Sequence, residues 1–353
     1  MQLITDVEQV NDSWLTACLR EAGVLPQGKV IHLAHDVSQP SLAVTSRCTV
    51  TYSEDALVDA PRHLFVKISP PERSGNIPEQ GKREILFYQC LMGQTEIGRS
   101  LPIVRCYDAC YDDPTGQFHL LLDDVSLTHG PLPLGLPPDR EQSDLAVQTL
   151  AAVHALWWNS PNLARFGSLP TVESDAEHIL ADRWGEFVNQ MGDRLSPAHR
   201  AIYERVMAAW PQLSRRYVET LHWTLSHGDA HVWNFLYPHQ PGLPAYLVDW
   251  EALGIKLGTD DLAYMMTLFW FPERRARLEE PLLREYHTHL LERGVRDYSW
   301  AQCWEDYRLS VIRMVFQPIW WWSTDHPAWL WWDRMERVVL AYEDLSCEEL
   351  LSA

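Results

Sequence analysis

Two short polar stretches carry the residues whose types and spacing could do chemistry. The first, HGDAHVWN, runs from His227 to Asn234 and holds two histidines, an aspartate and an asparagine. The second, AYLVDWE, runs from Ala245 to Glu251 and places Asp249 directly after an apolar run. These side chains could bind a metal ion, act on a phosphoryl group, or form a polar turn between buried strands.

One interpretation is a metal-dependent hydrolase. His227, Asp229 and His231 alternate along the chain, so in an extended strand their side chains would face one side. Nitrogen and oxygen donors of this kind can hold zinc. The sequence offers no distant fourth ligand at a clear spacing, so this interpretation explains little beyond the three residues themselves.

Phosphoryl transfer from ATP explains more of the sequence. The reaction needs a carboxylate that accepts the proton of the attacking hydroxyl, oxygen ligands for Mg²⁺, and a cation on the phosphates. Asp229 and, five positions later, Asn234 supply the carboxylate and the amide of a D-x4-N loop. Asp249 ends its apolar run, where a carboxylate can bind Mg²⁺ without being buried, and Mg²⁺ prefers such oxygen ligands.

The cation that this chemistry needs is expected upstream. Lys67 interrupts the apolar run LFVKIS, where an unpaired ammonium would be costly. Glu84 follows seventeen positions later on a predicted helix. An ion pair between the two side chains would hold the ammonium against the α- and β-phosphates of the nucleotide.

The composition indicates a globular protein and limits its partners. The 353 residues are 46% hydrophobic and 22% charged, which is enough for a sizeable core in two domains. A balance of 29 basic and 48 acidic residues gives a net charge of −19, which argues against a nucleic-acid partner. Seven cysteines, an odd number, indicate reduced thiols and a cytoplasmic protein.

Membrane association is not expected either. The N-terminus lacks the basic and apolar regions of a signal peptide, and no uninterrupted apolar run reaches about 20 residues. A monomer and a homodimer are both compatible with the sequence.

The first third of the chain predicts a sheet with one inserted helix. Five short runs typical of antiparallel strands lie at 29–37, 46–53, 62–69, 102–112 and 117–125. Between the third and fourth runs, Ile85, Tyr88 and Met92 fall on one face of a predicted helix.

After a proline-rich connector at 129–139, the pattern becomes helical. Ser196 followed by Pro197 is a strong helix start, and Leu150, Val153, His154 and Trp157 form one stripe of an earlier helix. The result is an α+β chain with a small antiparallel-sheet lobe followed by a larger, mainly helical lobe.

Several segments resemble the aminoglycoside phosphotransferase and choline kinase superfamily. LSHGDAHVWNFLY and LVDWEALGIKLGTDDLAYMM are similar to its signature, LLLDDVS to its lobe-connecting hinge, and LAAVHALWW to the helix before its catalytic loop. NDSWLTACLREAG, FVKIS and KREILFYQCL are most similar to the ecdysteroid-kinase-like branch. The resemblance implies a two-lobed protein-kinase-like fold, with a nucleotide-binding lobe over 1–125 and a catalytic and acceptor-binding lobe over 126–353.

The resemblance also implies a role for each matched residue. Asp229 would be the catalytic base, and Asn234 and Asp249 would bind Mg²⁺. Lys67 would hold the phosphates of ATP or GTP, and Glu84 would orient Lys67. The other substrate would be a small molecule with a hydroxyl group.

Further residues are implied to act through the backbone or on the loop. The backbone carbonyl of Asp123 and the amide of Val125 would meet the adenine. Asp261 would brace the catalytic loop, and His227 would support the same loop by hydrogen bonding.

The phosphate-covering loop departs from the family pattern. A glycine-rich turn lets backbone amides approach phosphates closely. The segment 35–46, HDVSQPSLAVTS, contains no glycine. A non-catalytic relative that only binds a small molecule is therefore kept as an alternative.

The acceptor is left open by the sequence. Six of the 17 tryptophans lie in the segment 318–332, and Trp329 and Trp332 are predicted to turn one helix face to the core. With Asp325 and Asp333 nearby, their rings could instead line a pocket for an amine-bearing or sugar-like molecule. An antibiotic, a sugar, an amino alcohol and a sterol-like alcohol are all candidate acceptors.

Overall fold

In a computed structural model of the protein, the described residues are 2–38, 43–69, 77–93, 101–171, 176–220 and 222–352. The chain divides into two compact units. The first contains Met1–Pro131 and Leu236–Leu253, and the second contains Leu132–Phe235 and Gly254–Ala353. A short segment from the second half of the sequence, which includes Asp249, is therefore part of the first unit.

The first unit contains a five-stranded antiparallel sheet in the order β1-β2-β3-β5-β4. Each predicted run overlaps one of its strands, which are β1 (Val30–Ser38), β2 (Val44–Tyr52), β3 (His63–Ile68), β4 (Cys106–Tyr111) and β5 (Phe118–Asp123).

Alternation along β3 separates core residues from Lys67. Leu64, Val66 and Ile68 are buried, and Lys67 lies between two of them on the opposite face of the strand. Helix α1 (Asp12–Glu21), which begins after the capping side chain of Asn11, packs its apolar residues into the same core as Leu64 and Val66. The sequence pattern of this strand therefore determines that its ammonium points away from that core.

Helix α2 (Ile77–Met92) packs on β4, on β5 and on the segment Trp250–Ala252. Of the three residues predicted to share one face, Ile85 and Tyr88 are buried, whereas Met92 is exposed because it lies at the last turn, beyond the packed part of the helix. A hydrogen bond from Gln89 Nε2 to the Ala109 carbonyl (2.9 Å) joins the helix to β4.

A second, three-stranded sheet of the first unit positions the segment before Asp249. Its order is β6-β8-β9, with β6 (His129–Gly130), β8 (Phe235–Pro238) and β9 (Tyr246–Leu247). A 3₁₀ turn, Trp250–Ala252, follows β9. The Trp250 ring is fully buried and stacks on Phe87 of α2, with centroids 3.9 Å apart and planes at 16°. This stack fixes the turn against α2.

The second unit is mainly helical. Its helices are α3 (Arg140–Trp157), α4 (Ala176–Met191), α5 (Pro197–Glu219), α6 (Thr259–Ala263), α7 (Pro272–Glu292), α8 (Trp300–Met314), α9 (Gln317–Ser323) and α10 (Ala328–Asp344). The Ser196 hydroxyl accepts the His199 N–H at the start of α5, as predicted. The predicted stripe of α3 is buried along its whole length.

Two short strands lie among these helices. Strands β7 (Trp223–Ser226) and β10 (Gly254–Leu257) pair antiparallel, with Ser226 opposite Gly254. The loop with His227 and Asp229 follows β7, and α6 follows β10.

The prediction for the tryptophan-rich helix is wrong at Trp329. This side chain is 73% exposed, whereas Trp331 is buried. The buried face of α10 runs through Trp331, Met335, Val338 and Tyr342, a three-to-four-residue spacing that leaves Trp329 outside it.

Within the ranges that the structure describes, no helix combines the length and the apolar character needed to cross a membrane.

Candidate active site

Lys67 forms two short ion pairs in the first unit. Its Nζ lies 2.8 Å from Glu84 Oε2 and 2.7 Å from Asp249 Oδ1. The Glu84 side chain is only 3% exposed, whereas that of Asp249 is 42% exposed. The ammonium is therefore held from the protein side by one carboxylate and bonded to a second carboxylate that solvent and ligands can reach.

The electrostatics of this cluster keep the lysine charged. Burial alone would lower the pKa of Lys67, but the carboxylates of Glu84 and Asp249 outweigh it and raise the pKa above its ordinary value. Burial raises the pKa of Glu84, and Lys67 opposes that rise. The ion pair is thus the compensation that a buried carboxylate requires.

The backbone around Asp249 is unusual. Asp249 has φ 69° and ψ 62°, in the left-handed region that aspartate and asparagine adopt more readily than most residues. The indole N–H of Trp250 donates to the Leu247 carbonyl (3.1 Å), and the Trp250 backbone N–H donates to the Glu84 carboxylate. The bend at Asp249 is therefore fixed on both sides.

The predicted hinge follows β5. The Asp123 N–H donates to the Arg105 carbonyl (2.9 Å), and the Val125 carbonyl accepts from the N–H groups of Thr128 and His129 (2.9 and 2.8 Å). Burial raises the pKa of the Asp123 carboxyl, and Tyr107 donates a hydrogen bond to it. The hinge is therefore a defined turn. The contacts of the Asp123 carbonyl and the Val125 amide with adenine stay a prediction.

The glycine-free loop is described only in part. Its residues 39–42 lie outside the described residues. On either side, Ser38 and Thr45 are paired as the last partners of β1 and β2.

The second unit positions Asp229 through both of its carboxylate oxygens. Tyr264 donates its hydroxyl to Oδ1 (2.7 Å), and Asn234 Nδ2 donates to Oδ2 (3.1 Å) and to the Asp229 carbonyl (2.9 Å). Since the amide nitrogen of Asn234 is turned to Asp229, its oxygen points the other way and is suited to bind a cation. His231 Nε2 lies 3.6 Å from Oδ2.

Asp261 holds the loop around His227 and Asp229 in place through hydrogen bonds. This buried carboxylate accepts hydrogen bonds from Ser226 Oγ (2.8 Å), His227 N (2.7 Å), Gly228 N (2.9 Å) and His154 Nε2 (3.1 Å). Burial would raise the pKa of Asp261, but these donors, His154 first, lower it well below its usual range.

The brace depends on a close approach at Gly258. His154 Nδ1 bonds the Tyr286 hydroxyl (2.8 Å). A side chain at Gly258 would overlap that hydroxyl and would come within 2.9 Å of His154 Nδ1. His227 supports the loop as well, since its Nδ1 accepts the Asp229 N–H (3.3 Å).

Sequence reasoning missed Tyr264. It follows Asp261 by three positions in DDLAY, so the two residues lie on the same side of a helix. The segment Tyr264–Leu268 is a π-helix, a form often found at functional sites. That spacing was the only signal in the sequence that could have linked Tyr264 to the loop.

The geometry does not favour the hydrolase interpretation. Among the residues that the structure describes, no group of three or more His, Cys, Asp or Glu side chains is arranged to hold a metal. His227, Asp229 and His231, which the structure describes, therefore do not form such a group. His227 instead accepts the Asp229 N–H with its Nδ1.

We expect Asp261→Asn to destabilise the protein by about 3 kcal/mol, because an amide replaces a buried carboxylate that serves four donors. Since the folded-state pKa of Asp261 is lowered, its contribution is complete above the unfolded pKa of about 4 and is lost as pH falls towards the folded value. Urea unfolding from pH 7 to pH 3 should therefore show a gap between wild type and variant that narrows below about pH 4. Asp325→Asn, at an exposed position, is the control; a gap independent of pH would contradict the prediction.

For the ATP-dependent phosphoryl transfer that the sequence predicts, we expect Tyr264→Phe to lower kcat about tenfold and to leave the KM for ATP unchanged, because a hydrogen bond to a charged group is lost while the ring stays. Steady-state kinetics of phosphoryl transfer measures both constants. Tyr203→Phe is the matched control, since Tyr203 is also buried in the second unit and its hydroxyl has no partner among the described residues. Equal effects of the two variants would show that Tyr264 acts only through packing.

A model of a known protein family covers the residues of the candidate site. The family model described as "Phosphotransferase enzyme family" (APH) matches residues 56–302. This range contains Lys67, Glu84, Asp229, Asn234 and Asp249. No curated protein matches the sequence significantly.

Solved structures share the fold at low sequence identity. The microcompartment-associated aminopropanol kinase has a TM-score of 0.57 and 16% identity, over 91% of this chain and 93% of that chain. A choline/ethanolamine kinase family protein from Mesorhizobium loti has a TM-score of 0.53 and 14% identity, over 89% and 92%. The GDP complex of an aminoglycoside 2'-phosphotransferase has a TM-score of 0.52 and 14% identity, over 96% and 99%.

These matches confirm the predicted superfamily and the α+β, kinase-like fold. The closer likeness to the ecdysteroid-kinase-like branch stays a prediction. With a family model that covers more than half of its length, the chain belongs to the phosphotransferase enzyme family.

Proposed function

We propose that the protein transfers the γ-phosphoryl group of ATP to a hydroxyl group of a small molecule. The observation that carries this proposal is the cluster of Lys67, Glu84 and Asp249. A purely structural ion pair needs one buried partner, which Glu84 supplies. The second, half-exposed carboxylate of Asp249 is what phosphate and metal binding would require in addition.

In the first unit, Lys67 would bind the α- and β-phosphates, and Glu84 would keep its ammonium in place. Each unit also offers an oxygen that suits Mg²⁺: the accessible carboxylate of Asp249 in the first, and in the second the amide oxygen of Asn234, which is turned away from Asp229. Mg²⁺, when bound, would neutralise charge on the phosphates. Burying Glu84 beside Lys67 would pre-organise the phosphate contact before the nucleotide binds.

In the second unit, Asp229 would orient the acceptor hydroxyl and accept its proton. As the acceptor oxygen forms its bond to the γ-phosphorus, the bond from that phosphorus to the β-phosphate oxygen breaks and its electron pair leaves with ADP. Tyr264 and Asn234 would hold the carboxylate in one orientation during this step.

The nucleotide would bind through the hinge, with the Asp123 carbonyl and the Val125 amide on adenine. A GDP complex among the structures that share the fold keeps GTP as an alternative donor. We assign nucleotide binding to residues 1–125 together with Asp249 of the segment Leu236–Leu253, and catalysis and acceptor binding to the rest of 126–353. None of the seven cysteines, all of which lie within the described residues, forms a disulfide, and reduced thiols are typical of a cytoplasmic protein.

The direct test is ADP release, measured by a coupled assay with Mg²⁺ and a panel of hydroxylated antibiotics, sugars, amino alcohols and sterols. We expect at least one acceptor to raise ADP release above that of Asp229→Ala. Binding of Mg²⁺·ATP is measured by calorimetry in parallel. If ATP binds but no acceptor gives a signal above the variant, the protein is a non-catalytic binder; if ATP does not bind, the proposal fails.

A further inference from the structure

Five rings lie beside Asp229 in the second unit. They form a continuous set that we call the aromatic wall, made of His231, Trp233, Tyr264, Phe269 and Trp321. Two of its members reach the carboxylate directly: the Tyr264 hydroxyl bonds Oδ1, and His231 Nε2 lies 3.6 Å from Oδ2. A molecule that brings a hydroxyl to Asp229 from this side therefore meets rings next.

Phe269 is the centre of the wall. Its ring centroid lies 5.2 Å from Tyr264, 5.3 Å from His231, 5.9 Å from Trp233 and 6.4 Å from Trp321. Tyr264 and Trp321 are buried, and the other three rings are half-buried. Part of the ring surface therefore stays accessible, at His231, Trp233 and Phe269.

The cation that such rings could bind is already supplied by the chain. The Arg334 guanidinium lies 4.8 Å from the Phe269 centroid and 5.9 Å from that of Trp321, and its side chain is largely buried. Because the faces of aromatic rings attract cations, Arg334 already fills a position over Phe269 and Trp321 that an amine of the acceptor could otherwise take.

The carboxylate of Asp333, which could have bound an amine of the acceptor, is neutralised by two arginines. Asp333 accepts from Arg334 NH1 (3.2 Å) and is paired with Arg337 NH2 (2.7 Å). Arg337 also donates to the Phe269 carbonyl (3.1 Å). Arg334 and Arg337 balance the carboxylates of Asp333 and Asp229, so these four side chains leave no excess of negative charge beside the wall to attract a cationic ligand.

Resting on the proposed phosphotransferase function, we propose that the acceptor is an uncharged alcohol whose apolar or aromatic ring packs on Trp233 and Phe269. Its hydroxyl lies at Asp229, and its ring gains stacking and burial against the half-buried part of the wall. Apart from Asp229, which the acceptor hydroxyl occupies, the carboxylate that a polyamine would meet beside the wall is Asp333, which is already paired with two arginines, and Arg334 repels the polyamine. The wall thus selects the acceptor by shape and the absence of charge.

Matched pairs of alcohols test the charge preference. Cyclohexanemethanol and piperidine-4-methanol have the same shape but differ by one ammonium, and benzyl alcohol adds an aromatic ring. We expect kcat/KM for cyclohexanemethanol and benzyl alcohol to exceed that for piperidine-4-methanol about tenfold, because the ammonium of the latter is desolvated on the half-buried rings and repelled by Arg334. The polyamine antibiotic kanamycin is expected to be used least well. Equal or better use of the amine of the pair, or a preference for kanamycin, would overturn the proposal.

Variants of Trp233 test whether the acceptor packs on the aromatic wall. Trp233→Ala should raise the KM for cyclohexanemethanol about tenfold and leave the KM for ATP within about twofold. Trp233→Phe, which keeps a ring, should restore most of the difference. Trp329→Ala is the control, because that tryptophan is 73% exposed and outside the wall. An unchanged acceptor KM in Trp233→Ala would contradict the assignment of the site.

Binding separates this inference from the proposed function. The same alcohols are titrated by calorimetry into the Asp229→Asn variant in the presence of Mg²⁺ and a non-hydrolysable ATP analogue. Tighter binding of the uncharged alcohols supports the wall even where turnover fails, whereas phosphorylation of amines alone supports the phosphotransferase and rejects the wall. If none of the alcohols binds, the inference is rejected.

Discussion

Replacing Asp229 with alanine is expected to lower kcat by about 10²- to 10⁴-fold, the range typical of losing a general base. The Kd for Mg²⁺·ATP should change little. The reason is that Asp229 bonds Tyr264 and Asn234 of its own unit, whereas the proposed phosphate contacts are made by Lys67 in the first unit. Single-turnover kinetics with a saturating acceptor, together with calorimetric titration of ATP, measures the two quantities separately.

Asp193→Ala, at an exposed position of the second unit, is the control for removing one negative charge. It should leave both constants unchanged. A loss of ATP affinity in Asp229→Ala comparable to its loss of turnover would mean that Asp229 binds the nucleotide rather than the acceptor proton. Unchanged phosphorylation of an identified acceptor would show that Asp229 is not the base.

Replacing Asp249 with alanine is expected to impair turnover and nucleotide affinity together. This carboxylate is the accessible member of the Lys67 cluster and the proposed Mg²⁺ ligand. Changes outside the first coordination sphere of a metal commonly cost 10- to 100-fold in affinity or activity, so removal of a direct ligand should cost at least about 100-fold. Titration of Mg²⁺ at fixed ATP should show a matching rise in the Mg²⁺ concentration needed for half-maximal activity.

The fold should survive this change, because Lys67 keeps its buried partner Glu84 (2.8 Å). Asp59→Ala, at an exposed position of the first unit, is the control variant. Thermal unfolding of both variants checks that the loss is functional. If Asp249→Ala retains normal Mg²⁺ dependence, the carboxylate only orients Lys67 and the ligand assignment is wrong.

Local sequence patterns predicted the strands and helices well, because neighbouring residues determine them. The alternation of β3 and the Ser196-Pro197 start of α5 are encoded by neighbouring residues, and the structure contains both features. Ion pairing of Lys67 with Glu84 followed from the cost of an unpaired ammonium in an apolar strand. Periodicity alone failed at Met92, which lies beyond the packed part of α2, and at Trp329, which lies outside the buried face of α10, because a repeat does not say which face is buried or how far it extends.

The sequence by itself determined which reactive groups the protein has and on which elements they lie, since spacing and composition are local properties. Only the tertiary structure decided which of them meet. Asp249 bonds Lys67 across 182 positions, and Tyr264 bonds Asp229 across 35. Arg334 came to lie over Phe269. Such contacts depend on how whole strands and helices pack against one another, and the packing of distant elements is not contained in the periodicity of either one.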